Sequence, residues 1–215
     1  MAASRTPPGT LVLLVRHGAT PTTGRILPGR APGLHLSEEG LEQARRAAER
    51  LATATLAGVL SSPLERARET AEPTLASTGL PLQPEPGLVE TDVGEWTGAS
   101  LAALARRTQW RDGLRSPSTF RFPGGESFAE VQARVVAVLD RLPEQYPGRT
   151  VACFSHADPI RIALNYALGA HLDTFGRIVV APGSISAIRL VAGSAPSVIA
   201  VNSVQGALTD LGSEH

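Results

Sequence analysis

The sequence predicts an α/β domain on a mainly parallel sheet, and three observations carry that expectation. Apolar runs at residues 11–15, 57–60 and 150–154 show no polar alternation, as expected of strands covered on both faces. Each is followed by a stretch of helical periodicity. At 215 residues and 42% hydrophobic content, the chain is long enough for one such core with an insertion. A further run at 184–191 supplies a later strand.

The helices follow in order. Ser37 caps a stripe of Leu41, Ala44, Ala48 and Leu51, with Glu38 and Glu39 at the positive end and Leu36 and Leu41 placed as a hydrophobic staple. Ser62-Pro63 opens a second helix towards Gly79, which Pro73 is expected to end or kink. Residues 81–125 are rich in Gly, Pro and polar side chains, with one short helix from 100 to about 111, and read as a cap inserted over a site. Ser127 and Glu130 form a capping box ahead of Val131, Val135, Val138, Leu139 and Leu142. Asp158-Pro159 opens the last helix, which runs through Leu168 and is closed by Gly169. The domain is expected over 10–204, between a disordered tail at 1–9 and a C-terminal tail at 205–215.

Composition narrows the partners. The formal net charge is zero, although all 20 cations are arginine. Balanced charge argues against nucleic acid, and no apolar run approaches the roughly 20 residues of a membrane span. The first nine residues, MAASRTPPG, lack the apolar core of a signal peptide. Cys153 is the only cysteine, so no internal disulfide forms and a reducing, cytoplasmic setting is expected.

Ligands of open parallel sheets bind beyond the carboxyl ends of the strands. Arg16 and His17 follow the first strand, Ser61-Ser62 the second, and Ser155 and His156 the third, while Arg66 lies one turn into the next helix. Taken singly, each has an ordinary reading: Arg66 paired with Glu65 or Glu69, His156 bonded to a backbone carbonyl, Glu90 a solvated carboxylate. Together they make a cationic pocket with no carboxylate cluster to chelate a metal. Its chemistry is phosphoryl transfer without a metal, with arginines binding the phosphoryl oxygens and a neutral imidazole attacking phosphorus.

The segments "LVRHGAT", "LSEEGLEQA", "VLSSPLERARETA", "LVETDVGEWTG", "PGGES" and "CFSHADPIR" occur in the order and approximate spacing of one family. From about residue 11 to 203 the chain resembles the histidine phosphatase superfamily, also called phosphoglycerate mutase-like proteins. The resemblance implies a three-layer α/β/α sandwich around a mainly parallel sheet with one antiparallel edge strand. It implies His17 as the nucleophile that carries a phosphohistidine, with Arg16, Arg66 and His156 completing the phosphate pocket and Glu90 as the acid. Three positions depart from the family pattern. Thr23 stands near where many relatives have asparagine, Ala157 replaces a usual glycine, and Arg30 falls near a substrate-reading position.

The function expected is a metal-independent phosphatase of small phosphorylated metabolites, acting without a cofactor as a monomer or homodimer. One alternative is a phosphomutase, which would use 2,3-bisphosphoglycerate; the basic insertion of the mutase branch is absent, and the paired Arg106-Arg107 reads as a solvated face. The other is a non-catalytic module that binds phosphorylated ligands.

Overall fold

The computed structural model describes residues 9–205, so most of both expected tails lies outside the described residues. In chain order the elements are β1 (Thr10–Arg16), β2 (Ile26–Leu27), α1 (Glu38–Leu51), β3 (Leu56–Ser61), α2 (Glu65–Thr78), β4 (Leu82–Pro84) and β5 (Ala99–Ser100). There follow α3 (Leu101–Leu104), α4 (Thr108–Arg115), α5 (Phe128–Gln145), β6 (Thr150–Ser155), α6 (Ala157–Ala167), β7 (Ile185–Leu190) and β8 (Ser197–Ser203).

Six strands form one sheet in the order β4-β3-β6-β1-β7-β8. The strands from β4 to β1 are parallel; β7 pairs antiparallel with β1, and the edge strand β8 pairs antiparallel with β7. Side chains alternate between two separate cores, the period-2 signature of a sheet covered on both faces. Val12 and Leu14 of β1 meet α5 and α6 on one face, while Leu11, Leu13 and Val15 meet Ala47 and Leu51 of α1 and Ala71 of α2 on the other. This is the three-layer sandwich.

Several local expectations need correction. Leu41 is 43% exposed, because Gly40, Ala44, Ala47, Ala48 and Leu51 form the buried face of α1. The second helix begins at Glu65 and continues through Pro73 to Thr78, losing one backbone donor without ending. The last helix starts one residue early, at Ala157, and reaches Ala167. The single helix expected from 100 to about 111 is two, α3 and α4, parted by a turn at 105–107. The cap starts later than residue 81, since β4 pairs with β3 in the main sheet. It also draws on an earlier segment, because β2 pairs with β5.

The loop after β1 is fixed by a close backbone approach. A Cβ added to Gly18 would sit 2.4 Å from the carbonyl oxygen of Gly40, and one added to Gly40 would sit 2.0 Å from that of Ala19. Gly40→Ala should therefore destabilise the fold by about 3 kcal/mol, the upper end of overpacking costs. In the first turn of α1 the helical preference for alanine over glycine, at most about 1 kcal/mol, does not offset that cost. Urea melts decide the sign, and an unchanged or raised midpoint would show that the two segments part freely.

Candidate active site

The strand ends bring the polar residues together. Arg16 closes β1 in register with Ser155 at the end of β6, and His17 N–H donates to the Ser155 carbonyl at 2.9 Å. That pairing of two parallel strands sets the His17 and His156 rings side by side, with centroids 5.1 Å apart and planes inclined at 59°. Both are buried, His17 at 6% exposure and His156 at 0%.

The hydrogen bonds fix one imidazole. Nδ1 of His17 lies 2.7 Å from the carbonyl of Gly18, which can only accept, so Nδ1 carries the hydrogen and Nε2 keeps its lone pair. Burial, then the charges of Arg66 and Arg16, hold the His17 pKa down at about 3 against an ordinary 6.5. Burial and Arg66 likewise keep His156 well below the ordinary value. Nε2 of His156 shares a 2.7 Å bond with Ser62 Oγ, which also accepts from Leu64 N–H at 3.3 Å.

Around these rings lie buried donors that the protein leaves unpaired. Arg66 is fully buried on α2 and gives one bond, NH2 to the carbonyl of Gly29 at 2.9 Å, while its Nε and NH1 have no partner. Nor does it pair with Glu65 or Glu69, which bind Gly33 N–H and the His35–Leu36 segment instead. Arg16 donates through NH1 to the carbonyl of Val180 at 2.6 Å and leaves Nε unpaired, as does His156 with its Nδ1. An unpaired buried donor costs about 1–3 kcal/mol, more when charged. Four such atoms around two imidazoles point to an anion as the missing partner.

Above them is a cavity of about 370 Å³. Arg16, His17, Thr23, Glu90 and Ala157 line it; Arg66 and His156 lie behind it rather than on its wall. The Thr23 hydroxyl accepts from Thr20 N–H at 2.8 Å and lies 3.1 Å from the Thr20 hydroxyl. Arg30 is not brought to the cavity. It is drawn into the base of the cap, donating to the Glu90 carbonyl at 2.8 Å and to Glu126 at 2.8 Å. Arg134 makes the same pair of contacts, to the Glu90 carbonyl at 3.2 Å and to Glu126 at 3.1 Å. Glu126 also accepts from Asp92 N–H at 3.0 Å, so the carboxylate of the "PGGES" segment holds the backbone from Glu90 to Asp92, directly and through the two arginines.

The Glu90 carboxyl is half-buried and accepts from Thr91 N–H at 2.8 Å. Burial, reinforced by the charge of Asp158, pushes its pKa up to about 7 against the pull of Arg66 and Arg16. Asp158 and Arg161 were missed in the sequence as cavity residues; Asp158 read only as a helix opener. Their spacing of three on α6, which makes a 3.2 Å ion pair, was the available signal. Arg106 and Arg107 are exposed and outside the cavity wall. Among the described residues, no three His, Cys, Asp or Glu side chains gather as a metal site, and no helix is long and apolar enough to cross a membrane.

Sequence comparison places this arrangement in a family: residues 12–203 match the histidine phosphatase superfamily (branch 1). The chain belongs to the histidine phosphatase superfamily. A bifunctional protein of Mycobacterium tuberculosis is 39% identical over 198 residues, 90% of this chain and 54% of that protein. The chain thus spans about half the length of that curated relative. Phosphoserine phosphatase 1 of Hydrogenobacter thermophilus is 31% identical over 169 residues, 76% of this chain and 79% of that protein. Among solved structures, mycobacterial glucosyl-3-phosphoglycerate phosphatase superposes with a TM-score of 0.80 at 25% identity, covering 91% of this chain and 99% of that one. In this chain His17, His156 and Arg16 stand at strand ends, Arg66 in the first turn of α2 and Glu90 at the base of the cap.

Proposed function

We propose that the chain is a phosphatase of small phosphate monoesters that works through a phosphohistidine on His17. The observation that carries this reading is the neutral His17, with a free Nε2, beside unpaired buried donors on Arg16, Arg66 and His156. A phosphoryl group, with several acceptor oxygens, is the ligand that such a set of donors suits.

In the first step Nε2 of His17 attacks phosphorus in line and the bond to the ester oxygen breaks, with Glu90 giving its proton to that oxygen. In the second, water attacks the phosphohistidine, Glu90 takes a proton from it, and inorganic phosphate leaves. The arginines offset the charge on the phosphoryl oxygens in both steps. With the Ser62 hydroxyl proton given to Nε2 of His156, its Nδ1 carries a hydrogen towards the same oxygens. Thr23 and the N–H of Ala157, at the start of α6, are further contacts available at the cavity wall.

These donors supply the positive charge that a metal provides in other phosphatases. Hydrolysis of p-nitrophenyl phosphate is expected to survive exhaustive chelation with less than about twofold change, and a metal requirement would overturn the mechanism. No release of p-nitrophenol by the wild type would favour a binding module instead.

A further inference from the structure

Both tryptophans and four of the five phenylalanines of the chain line one cavity. They form an unbroken run of rings. Trp110 meets Trp96 at 6.0 Å, Trp96 meets Phe120 at 5.8 Å and Phe122 at 5.6 Å, Phe122 meets Phe128 at 5.2 Å, and Phe128 meets Phe175 at 4.8 Å. Trp96, Phe122, Phe128 and Phe175 are at most 5% exposed, and packing of the cap accounts for them. Trp110 and Phe120 are only half-buried, so they present ring surface to the cavity.

Charge on the wall is confined and balanced. Beyond Arg16 and Glu90 at the phosphate end, the charged lining residues are Asp158 and Arg161, and their 3.2 Å ion pair adds no net charge. Arg161 keeps a buried Nε without a partner, yet Asp158 beside it offsets its charge, so a carboxylate or second phosphate on the substrate gains no net attraction there. A cavity of about 370 Å³ falls near the lower end of the roughly 300–1,000 Å³ of small-molecule sites, which suits an organic group of about one ring.

We infer that the site takes phosphate monoesters whose leaving group is uncharged and aromatic, an aryl or arylalkyl group packed against Trp110 and Phe120, and that it disfavours phosphorylated acids and bisphosphates. This rests on the phosphatase reading above and names its substrate class. Offset or edge-on ring packing and the burial of one apolar ring supply the preference.

Phosphonates, which cannot be hydrolysed, separate binding from leaving-group chemistry. Calorimetric titration with ethylphosphonate, 3-phenylpropylphosphonate and 3-phosphonopropanoate is expected to give a Kd for the phenyl compound at least about tenfold below the other two. Equal affinities, or tightest binding of the carboxylate, overturn the inference. Trp110→Ala should cut the phenyl preference to about threefold or less, and a preference that survives it removes the assignment to this wall. Hydrolysis of 2-phenylethyl and ethyl phosphate is followed in parallel. Tight phenyl binding without turnover of either ester sinks the phosphatase reading and leaves the ligand class standing. Turnover of both esters without a phenyl preference in the titration does the reverse.

Discussion

His17→Ala is expected to lower turnover by about 10⁴-fold or more and to remove the acid-labile, alkali-stable phosphoryl label expected of the wild type on rapid quenching. The magnitude is that of deleting a nucleophile whose partners cannot replace it. His156 stands 5.1 Å away and offers no substitute, since its Nε2 is engaged by Ser62 and, in the mechanism proposed, its Nδ1 carries a hydrogen and has no lone pair to attack with. Labelling retained in the variant would move the nucleophile to another residue. Thermal melts of the variant provide the control for folding, because alanine leaves a void at a buried position.

Glu90→Gln carries the second largest effect, and its size depends on the substrate. Alkyl phosphates have poor leaving groups and should slow by about 10²–10⁴, the usual range of general acid help, whereas p-nitrophenyl phosphate should lose far less. Equal losses would mean that Glu90 does not protonate the leaving oxygen.

The pH profile gives an independent check on the same residue. In the mechanism proposed, Glu90 acts as the acid in its protonated form, so kcat/KM for alkyl esters should fall as pH rises through about 7, and Glu90→Gln should abolish that limb. His17 stays neutral down to about 3, so nucleophile protonation imposes no limb between pH 4 and 7. Stability runs the opposite way for the two groups. A raised Glu90 means that the folded state binds more protons than the unfolded one between an ordinary 4.5 and about 7, so its contribution declines as pH rises across that window. A depressed His17 means that the unfolded state binds more between about 3 and 6.5, so its contribution declines as pH falls there.

Much of the fold was legible because its signals are local. The unalternating runs behind β1, β3 and β6, the Ser37 cap and the Ser127–Glu130 capping box all depend on neighbours within a turn or a strand. β4 was missed because three residues flanked by prolines read as a loop; an edge position tolerates the missing donor of Pro84. β8 was missed although Val198 to Val201 is an apolar run of four, and only one of its faces packs on the protein, which leaves Ile199 and Val201 exposed. The strand-end rule brought His17, Arg16, Arg66 and His156 to one place, since parallel order alone sets which ends meet.

What the sequence by itself determined was an alternating α/β chain whose reactive side chains leave the strands at one edge of a sheet. The tertiary structure decided their electrical state. Only packing sets the burial that keeps both imidazoles neutral, raises Glu90 beside Asp158 and leaves Arg66 with unpaired donors. It also decided that Arg30 serves the cap and not the cavity, and that six aromatic rings scattered from Trp96 to Phe175 form one wall. Burial and long-range contact are sums over residues distant in the chain, so no local pattern encodes them.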